Sequence, residues 1–562
     1  MVGTAVKSKT GKAKSFGLSA ALAAAFGLAW AGAASAADMD AMATKAAPMT
    51  YAPPPPVACG SVYDFFFTKC PLTWYGVTLY GTVDMGGTYQ THGTPFDRNF
   101  PTGASYLLGA GGGNATNRTP GFGLAPNGLS QSNFGLKVQE AIGGGWSFVG
   151  QAGVAFDPYS LLLANAPVAL QNGIGVAENQ QALPFDSSRW GWLADQIYAG
   201  VNSATFGTLT FGRQNTLYND GIVAYDPMGA AYAFSPIGYS GKAAGAGDTE
   251  DARWTTAIKY RVNIGDFRLS AMGQPGFGYG AYNPNQGAVE GGIGGDIRNL
   301  GPGTLSLDAI AAWEKDAVNI STTFPGQATP GGWPTTFPGG FFAGCGAAPG
   351  CSGLKATISN QTSFMGLAKY SFGGWTNPPP VVGKAPPAPS GPSGIPLTLF
   401  AGYEWIQFAS PSDPQTAFRD DGFLFNFVNA AANRLSANGT TIANNAFNAA
   451  CGSGTGCTNE TFQIMWTGAK YGITKDLDIV GAYYHYIQST FVNGVDCSAS
   501  AAAANSRCQG WYDVYSLVLD WRFLPKWDAY IGTMYSAAFG GIANGDIARN
   551  NLATTAGVRF RF

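Results

Sequence analysis

Between Val77 and Met85 the side chains alternate. Val77, Leu79, Val83 and Met85 fall on one face, Thr78, Thr82 and Asp84 on the other, and Thr88 and Gln90 continue the polar face. A period of two marks a strand between two unlike surroundings. The same pattern returns along the chain. Phe134, Leu136 and Val138 oppose Asn133, Lys137 and Gln139. Trp254, Ile258, Tyr260 and Val262 oppose Arg253, Lys259 and Arg261, and Phe267, Leu269 and Ala271 oppose Arg268, Ser270 and Gln274. Counted to the final segment, Leu552 to Phe562, the pattern predicts sixteen strands. Composition agrees with two-faced strands. Only 11% of the 562 residues are charged, against roughly 25% in a soluble globular chain, while 46% are hydrophobic and 13% aromatic. Mean hydropathy is +0.01, the average of an apolar and a polar face. A disordered chain has too few aromatics to fit, a helical membrane protein needs repeated long apolar runs, and a nucleic-acid binder needs an excess of base. Here 31 Lys and Arg stand against 33 Asp and Glu, which also argues against a nucleic-acid partner.

The connections alternate in length. Short turns are predicted at 142–145, 203–207, 263–266, 300–303, 474–476 and 524–526. Long segments fill 91–131, 157–195, 215–252, 275–288, 316–361, 409–460, 489–511 and 539–551. Short turns on one side and long loops on the other describe an all-β, transmembrane antiparallel β-barrel, with short periplasmic turns and long extracellular loops. Residues 373–396, with Pro378 to Pro380, form one long Pro-rich link on the short side, read as a flexible turn or a hinge. Aromatics bordering strands (Trp74, Trp146, Trp190, Trp192, Trp254, Trp527 and Tyr530) are expected in interfacial girdles.

Ahead of the strands, Lys7, Lys9, Lys12 and Lys14 precede an apolar run to Ala34 and the small-residue site Ala34-Ser35-Ala36. Residues 1–36 therefore read as a secretory signal peptide. Removing its four lysines from 31 basic residues leaves 27 against 33 acids, a net charge near −6. Residues 37–72 read as a Pro-rich periplasmic segment, and 73–562 as a single barrel. Eight cysteines fall in four local pairs: Cys59 with Cys70, Cys345 with Cys351, Cys451 with Cys457, and Cys497 with Cys508. Loop closure favours near neighbours, and the spacings match no zinc pattern, so four loop-stapling disulfides are expected and no metal or other cofactor.

The last residues, Gly557-Val558-Arg559-Phe560-Arg561-Phe562, place Val558, Phe560 and Phe562 on one face. This ending resembles the assembly signal of bacterial outer-membrane barrels, with Phe562 as its terminal residue. Leu79 to Asp84, Ser132 to Lys137, and Tyr198 to Asn202 followed by Phe206 to Gln214 resemble the first strands of Gram-negative general (trimeric) porins. Cys59 and Cys70 resemble a pair found in porins of the alphaproteobacterial type. The resemblance implies a sixteen-stranded barrel in the outer membrane, bounded by lipid and lipopolysaccharide. It also implies a homotrimer that passes small hydrophilic solutes and ions. The large loops 101–130, 316–361 and 409–460 depart from the family pattern.

The resemblance also maps 215–252 onto an inward-folded constriction loop. Its acids would be Asp220, Asp226, Asp248, Glu250 and Asp251, facing the basic wall residues Lys137, Arg213, Arg253, Lys259, Arg261 and Arg268. Opposed charges across a narrow zone select ions by Coulombic attraction and repulsion. Alternation places Lys137, Lys259, Arg261 and Arg268 inward. Strict parity places Arg213 beside Leu209 and Phe211, so either a bulge at Gly212 re-aims it or it lies at the rim. A rival reading is a structural or adhesive barrel with a closed lumen. An enzyme is not expected. The two histidines are His92, in a long loop, and His485, in the aromatic run Tyr483-Tyr484-His485-Tyr486, and no nucleophile elbow surrounds a serine.

Overall fold

In the computed structural model the described residues are 59–92, 120–156, 158–159, 161, 195–238, 253–278, 281–315, 319–321, 355–357, 360–374, 393–409, 460–490, 496–498, 508–541 and 549–562. The predicted leader, residues 1–36, lies outside them.

Antiparallel neighbours run in chain order from Val77–Gln90 round to Asn550–Arg561. The ring then closes, because Thr82 to Gln90 of the first strand pair with Arg561 to Ala553 of the last. The result is a closed antiparallel barrel of 16 strands. Closure leaves no unpaired edge, the condition for spanning hydrocarbon with strands. No helix among the described residues is long and apolar enough to cross a membrane.

Alternation sorts the side chains between lipid and lumen. In Gly510–Leu524 the outward residues Trp511, Tyr515, Leu517, Leu519 and Trp521 are exposed. Between them, Tyr512, Val514, Ser516 and Val518 point inward and are buried. Trp511 stacks on Phe539, with centroids 5.0 Å apart, near one end of the apolar band, and Trp521 packs beside Phe523 near the other. Two expected girdle residues are not there. Trp254 is fully buried, and Tyr530 turns into the lumen to bond Asp84.

Short hairpins close one end. Gly143, Gly144 and Gly145 all take positive φ (95°, 61° and 80°), which only glycine adopts without strain, and they turn the chain into Trp146–Ala155. The predicted long segment 275–288 is corrected by the structure. Strands Phe267–Gly278 and Ala281–Leu300 run through most of it, paired as far as Phe277 with Tyr282. Alternation missed this extension because glycines and Pro275 interrupt the pattern. The ends of the Pro-rich link are also strand, with Gly373 pairing Gly394 and Gly374 pairing Ser393.

Two local features were not visible in the pattern. The second strand is split. Gly121–Pro126 pairs with Met85 to Gln90, Asn133–Gly143 pairs with Val77 to Thr82, and residues 127–132 between them leave the sheet. The other feature is a short helix, Val62–Phe67, inside residues 37–72, read as a Pro-rich periplasmic segment. Ser61 caps it, accepting from Asp64 N at 3.1 Å. The helix lies on the closing strand. Phe66 stacks on Phe560 at 5.4 Å, and Phe65 meets Phe562 edge-on at 5.3 Å. Trp527 Nε1 donates to Phe66 O at 3.0 Å, and Lys526 Nζ donates to Phe65 O and Cys70 O at 2.9 and 2.8 Å.

Two of the four expected disulfides fall on described residues, and both are formed. Cys59 is bonded to Cys70 and brackets the helix, and Cys497 is bonded to Cys508. The other two expected pairs, Cys345 with Cys351 and Cys451 with Cys457, lie outside the described residues: Cys345, Cys351, Cys451 and Cys457 all belong to the long segments 316–361 and 409–460.

Candidate functional site

After Asn215 the chain turns into the barrel. Thr216 caps a helix, Leu217–Tyr225, by accepting from Asn219 N at 3.2 Å. The wall caps the same end, because Glu290 Oε2 accepts from Leu217 N at 2.6 Å. A carboxylate there satisfies an orphan amide and complements the helix dipole. Leu217, Tyr218, Gly221 and Ile222 are buried against the wall. A side chain at Gly221 would collide with Leu367 and Ile310, so glycine lets the helix lie close to the strands.

The loop then follows the inner wall, strand by strand. Tyr225 OH bonds Asp308. Lys369 Nζ donates to Ala224 O at 3.2 Å and sits over the Tyr225 ring. Trp466 Nε1 donates to Tyr225 O at 3.3 Å. Tyr484 OH donates to Asp226 Oδ1 at 2.6 Å, and Ser516 Oγ donates to Phe234 O at 2.6 Å. Phe234 packs edge-on to Tyr530 in a cluster with Leu129, Ala231, Ala233 and Val518.

The structure separates the candidate charges into distinct groups. Asp220 sits in the first turn of the helix and faces the basic wall. It pairs with Lys259 Nζ at 2.5 Å and with Arg261, while Lys259 also donates to Asn215 O at 2.6 Å. Arg268 lies beneath the other end of the helix, paired with Asp296 and Asp308 and donating to Tyr225 OH at 3.2 Å. Arg253 pairs with Asp195 at 2.7 Å, and Arg213 Nε donates to Asp195 O at 3.0 Å. Of the two placements open for Arg213, the bulge is the one found. Gly212 has φ 129°, the register shifts between Gly212 and Gln214, and Arg213 is buried. Lys137 lies over the Tyr80 ring at 4.4 Å and has no carboxylate partner among the described residues.

Asp226 does not present a charge to the lumen, and this corrects its expected role. It is 2% exposed and accepts from Tyr484 OH, from Ala230 N at 2.8 Å and from Met228 N at 3.3 Å. Its carboxylate folds the loop instead. Burial raises its pKa above the ordinary carboxylate range, while these donors pull the other way. Asp248, Glu250 and Asp251 lie outside the described residues.

Glu290, Asp308, Lys369, Trp466 and Tyr484 are not among the site residues expected from the sequence. Which part of the loop each would meet is set by where the loop crosses that strand. His485 turns outward, with Nδ1 2.7 Å from Asp513, and Tyr483 OH donates to the same carboxylate at 2.7 Å. No group of three His, Cys, Asp or Glu among the described residues could hold a metal ion.

A closed 16-stranded barrel, apolar outside and polar within, with a loop laid along its inner wall, defines an outer-membrane channel. The family profile of Gram-negative porins matches residues 19–376, more than half of the chain, and the chain belongs to that family. It is therefore a porin of the Gram-negative outer membrane, a channel for passive diffusion. Among solved structures it is similar to the anion-selective porin from Comamonas acidovorans, at 14% identity and TM-score 0.48, covering 86% of this chain and 99% of that one. It is also similar to the outer-membrane protein OmpT of Vibrio cholerae, at 11% identity and TM-score 0.42, covering 88% and 99%. A third is Salmonella typhi OmpF in complex with daunomycin, at 11% and 0.40, covering 86% and 97%. Comparison with curated protein sequences gives no match.

Proposed function

We propose that the narrowest zone lies between the loop of residues 215–238 and the wall carrying Lys137, Arg253, Lys259 and Arg261, and that charge in this zone selects ions and small hydrophilic solutes. The observation that carries this is the contact of Asp220 with Lys259 and Arg261, which brings loop and wall charges together inside the barrel. Asp220 meets two cations, Glu290 faces the same pair, and Lys137 adds a further positive charge. Loop acids therefore serve partly to moderate a basic wall. The assembly is a homotrimer. One of the solved OmpT structures is described as a trimer form, and the chain shares the porin family and fold.

The test is single-channel recording of the purified protein in a planar bilayer under a salt gradient. Stepwise conductance with a reversal potential that moves when Asp220 or Lys137 is neutralised supports the proposal. A correctly folded protein that stays silent supports a structural barrel with a closed lumen.

A further inference from the structure

Beyond its helix, the described part of the loop is gripped by the insertion that splits the second strand. Residues 127–132 leave the sheet between Pro126 and Asn133 and turn into the lumen, where Asn127, Leu129, Gln131 and Ser132 are buried. Ala233 N donates to Gly128 O at 2.8 Å, Tyr232 OH donates to Gln131 Oε1 at 3.0 Å, and Leu129 packs in the cluster around Phe234. The loop thus leaves the wall after Asn215 and, at Ala231 to Phe234, meets a second piece of the barrel.

One side chain shapes that grip. Asp84 is inward-facing on the first strand and fully buried. Its Oδ2 accepts from Leu129 N at 2.7 Å and from Ser130 N at 2.9 Å, and its Oδ1 accepts from Tyr530 OH at 2.7 Å. Its backbone completes the frame, with Asn127 N donating to Asp84 O at 3.0 Å and Asp84 N donating to Ser132 Oγ at 2.9 Å. Two amides that the insertion takes out of the sheet thus find their acceptor in one carboxylate. Arg559, paired with Asp528, reaches Ser130 Oγ at 3.3 Å from the next strand. Nothing else among the described contacts offers Leu129 N and Ser130 N a partner.

We propose that Asp84 is a positioning residue for the constriction. It holds residues 127–132 as a clasp, and the clasp keeps residues 231–234 of the loop against the wall, so that the channel has one width. This rests on the reading of the loop as the constriction. An asparagine at 84 has one acceptor oxygen for three donors: turned toward Leu129 N and Ser130 N it no longer accepts from Tyr530, and turned toward Tyr530 it presents an NH2 that accepts from neither amide. Either way a buried donor loses its carboxylate acceptor, which shifts a docking equilibrium by about tenfold or more.

The experiment places a cysteine at Ala233, which is fully buried, and measures its modification by a small water-soluble methanethiosulfonate, by mass and by current. Adding Asp84→Asn is expected to raise the labelling rate about tenfold or more and to add current noise, with heat-modifiability of the barrel unchanged. A cysteine at Ala224, held by Lys369 at the helical end of the loop, is expected to keep its rate. Should Asp84→Asn hinder barrel closure, Phe234→Ala loosens the same grip from the loop side, away from the strands, and is expected to raise labelling likewise. Unchanged labelling at Ala233→Cys in both backgrounds overturns the clasp, and so does equal acceleration at Ala224→Cys, which reports general loosening. Labelling is read by mass without conduction, so a silent channel with clasp-dependent labelling refutes the constriction reading and leaves the clasp standing.

Discussion

Asp220→Asn removes one negative charge from a trio whose other members are Lys259 and Arg261, and changes almost nothing in volume. Both cations lie within reach of one carboxylate oxygen, so the local charge becomes one unit more positive. For an ion passing on the order of 8 Å away in water, one elementary charge is worth about 0.5 kcal/mol. At 0.1 M salt, with a screening length of ~10 Å, about half of that remains. The anion gains and the cation loses this amount, so the permeability ratio is expected to move roughly twofold toward anions. At 0.01 M the screening length is ~30 Å, and the expected shift grows to roughly fourfold. The assay is the reversal potential in a tenfold salt gradient at the two ionic strengths, on protein whose heat-modifiability matches the parent. An unchanged reversal potential, a shift toward cations, or a shift that fails to grow as salt falls would refute the reasoning that the trio faces the ion path.

Asp226→Asn should act differently from Asp220→Asn. Its charge is buried, so reversal potentials are expected to change little, while loss of a carboxylate accepting from Tyr484 and Ala230 loosens the loop, read as added current noise. Because burial raises the Asp226 pKa, the docked loop binds a proton more readily than a released one. Docking should therefore weaken as pH rises from near the ordinary carboxylate value, ~4, through the raised one, followed by thiol labelling at Ala233→Cys across pH. Deleting Phe562 removes two backbone hydrogen bonds to Gly81, each 2.9 Å, and the contact with Phe65, and is expected to lower the yield of heat-modifiable barrel. Cys59→Ser with Cys70→Ser, which opens a disulfide of sequence separation 11, should cost the docked helix about 2–3 kcal/mol, measured as earlier protease cleavage at residues 59–70.

The barrel was legible because lipid and water impose opposite demands on successive residues, and alternation records both. That is why Lys137, Lys259, Arg261 and Arg268 could be oriented from the sequence alone. The same rule failed at Arg213 for a local reason. Gly212 adopts a positive φ that the sequence permits but does not require, and a single bulge inverts parity beyond it. Asp226 was misread because a loop acid looks the same whether it faces water or folds back on backbone amides. The clasp was hidden for a further reason. Asn127-Gly128 announces a turn, but Asp84 reaches it from the neighbouring strand, Phe234 from the inward loop, and Tyr530 only across the closed ring. The helix Val62–Phe67 did carry a signal, Ser61 three residues before Asp64, which the proline-rich surroundings obscured.

The docking surface of that helix is composite. Lys526 and Trp527 come from the hairpin before the last strand, and Phe560 and Phe562 come from the last strand itself. That last strand is held in place by the first, through pairs that run from Thr82 to Gln90. The helix precedes the first strand and its docking surface belongs to the last hairpin, so the two come together where the ring closes. In a strand series that has not yet joined, helix and surface are carried at opposite ends. Docking of the stapled helix thus marks closure, and a protease added during assembly is expected to spare residues 59–70 only in barrels whose ends have met.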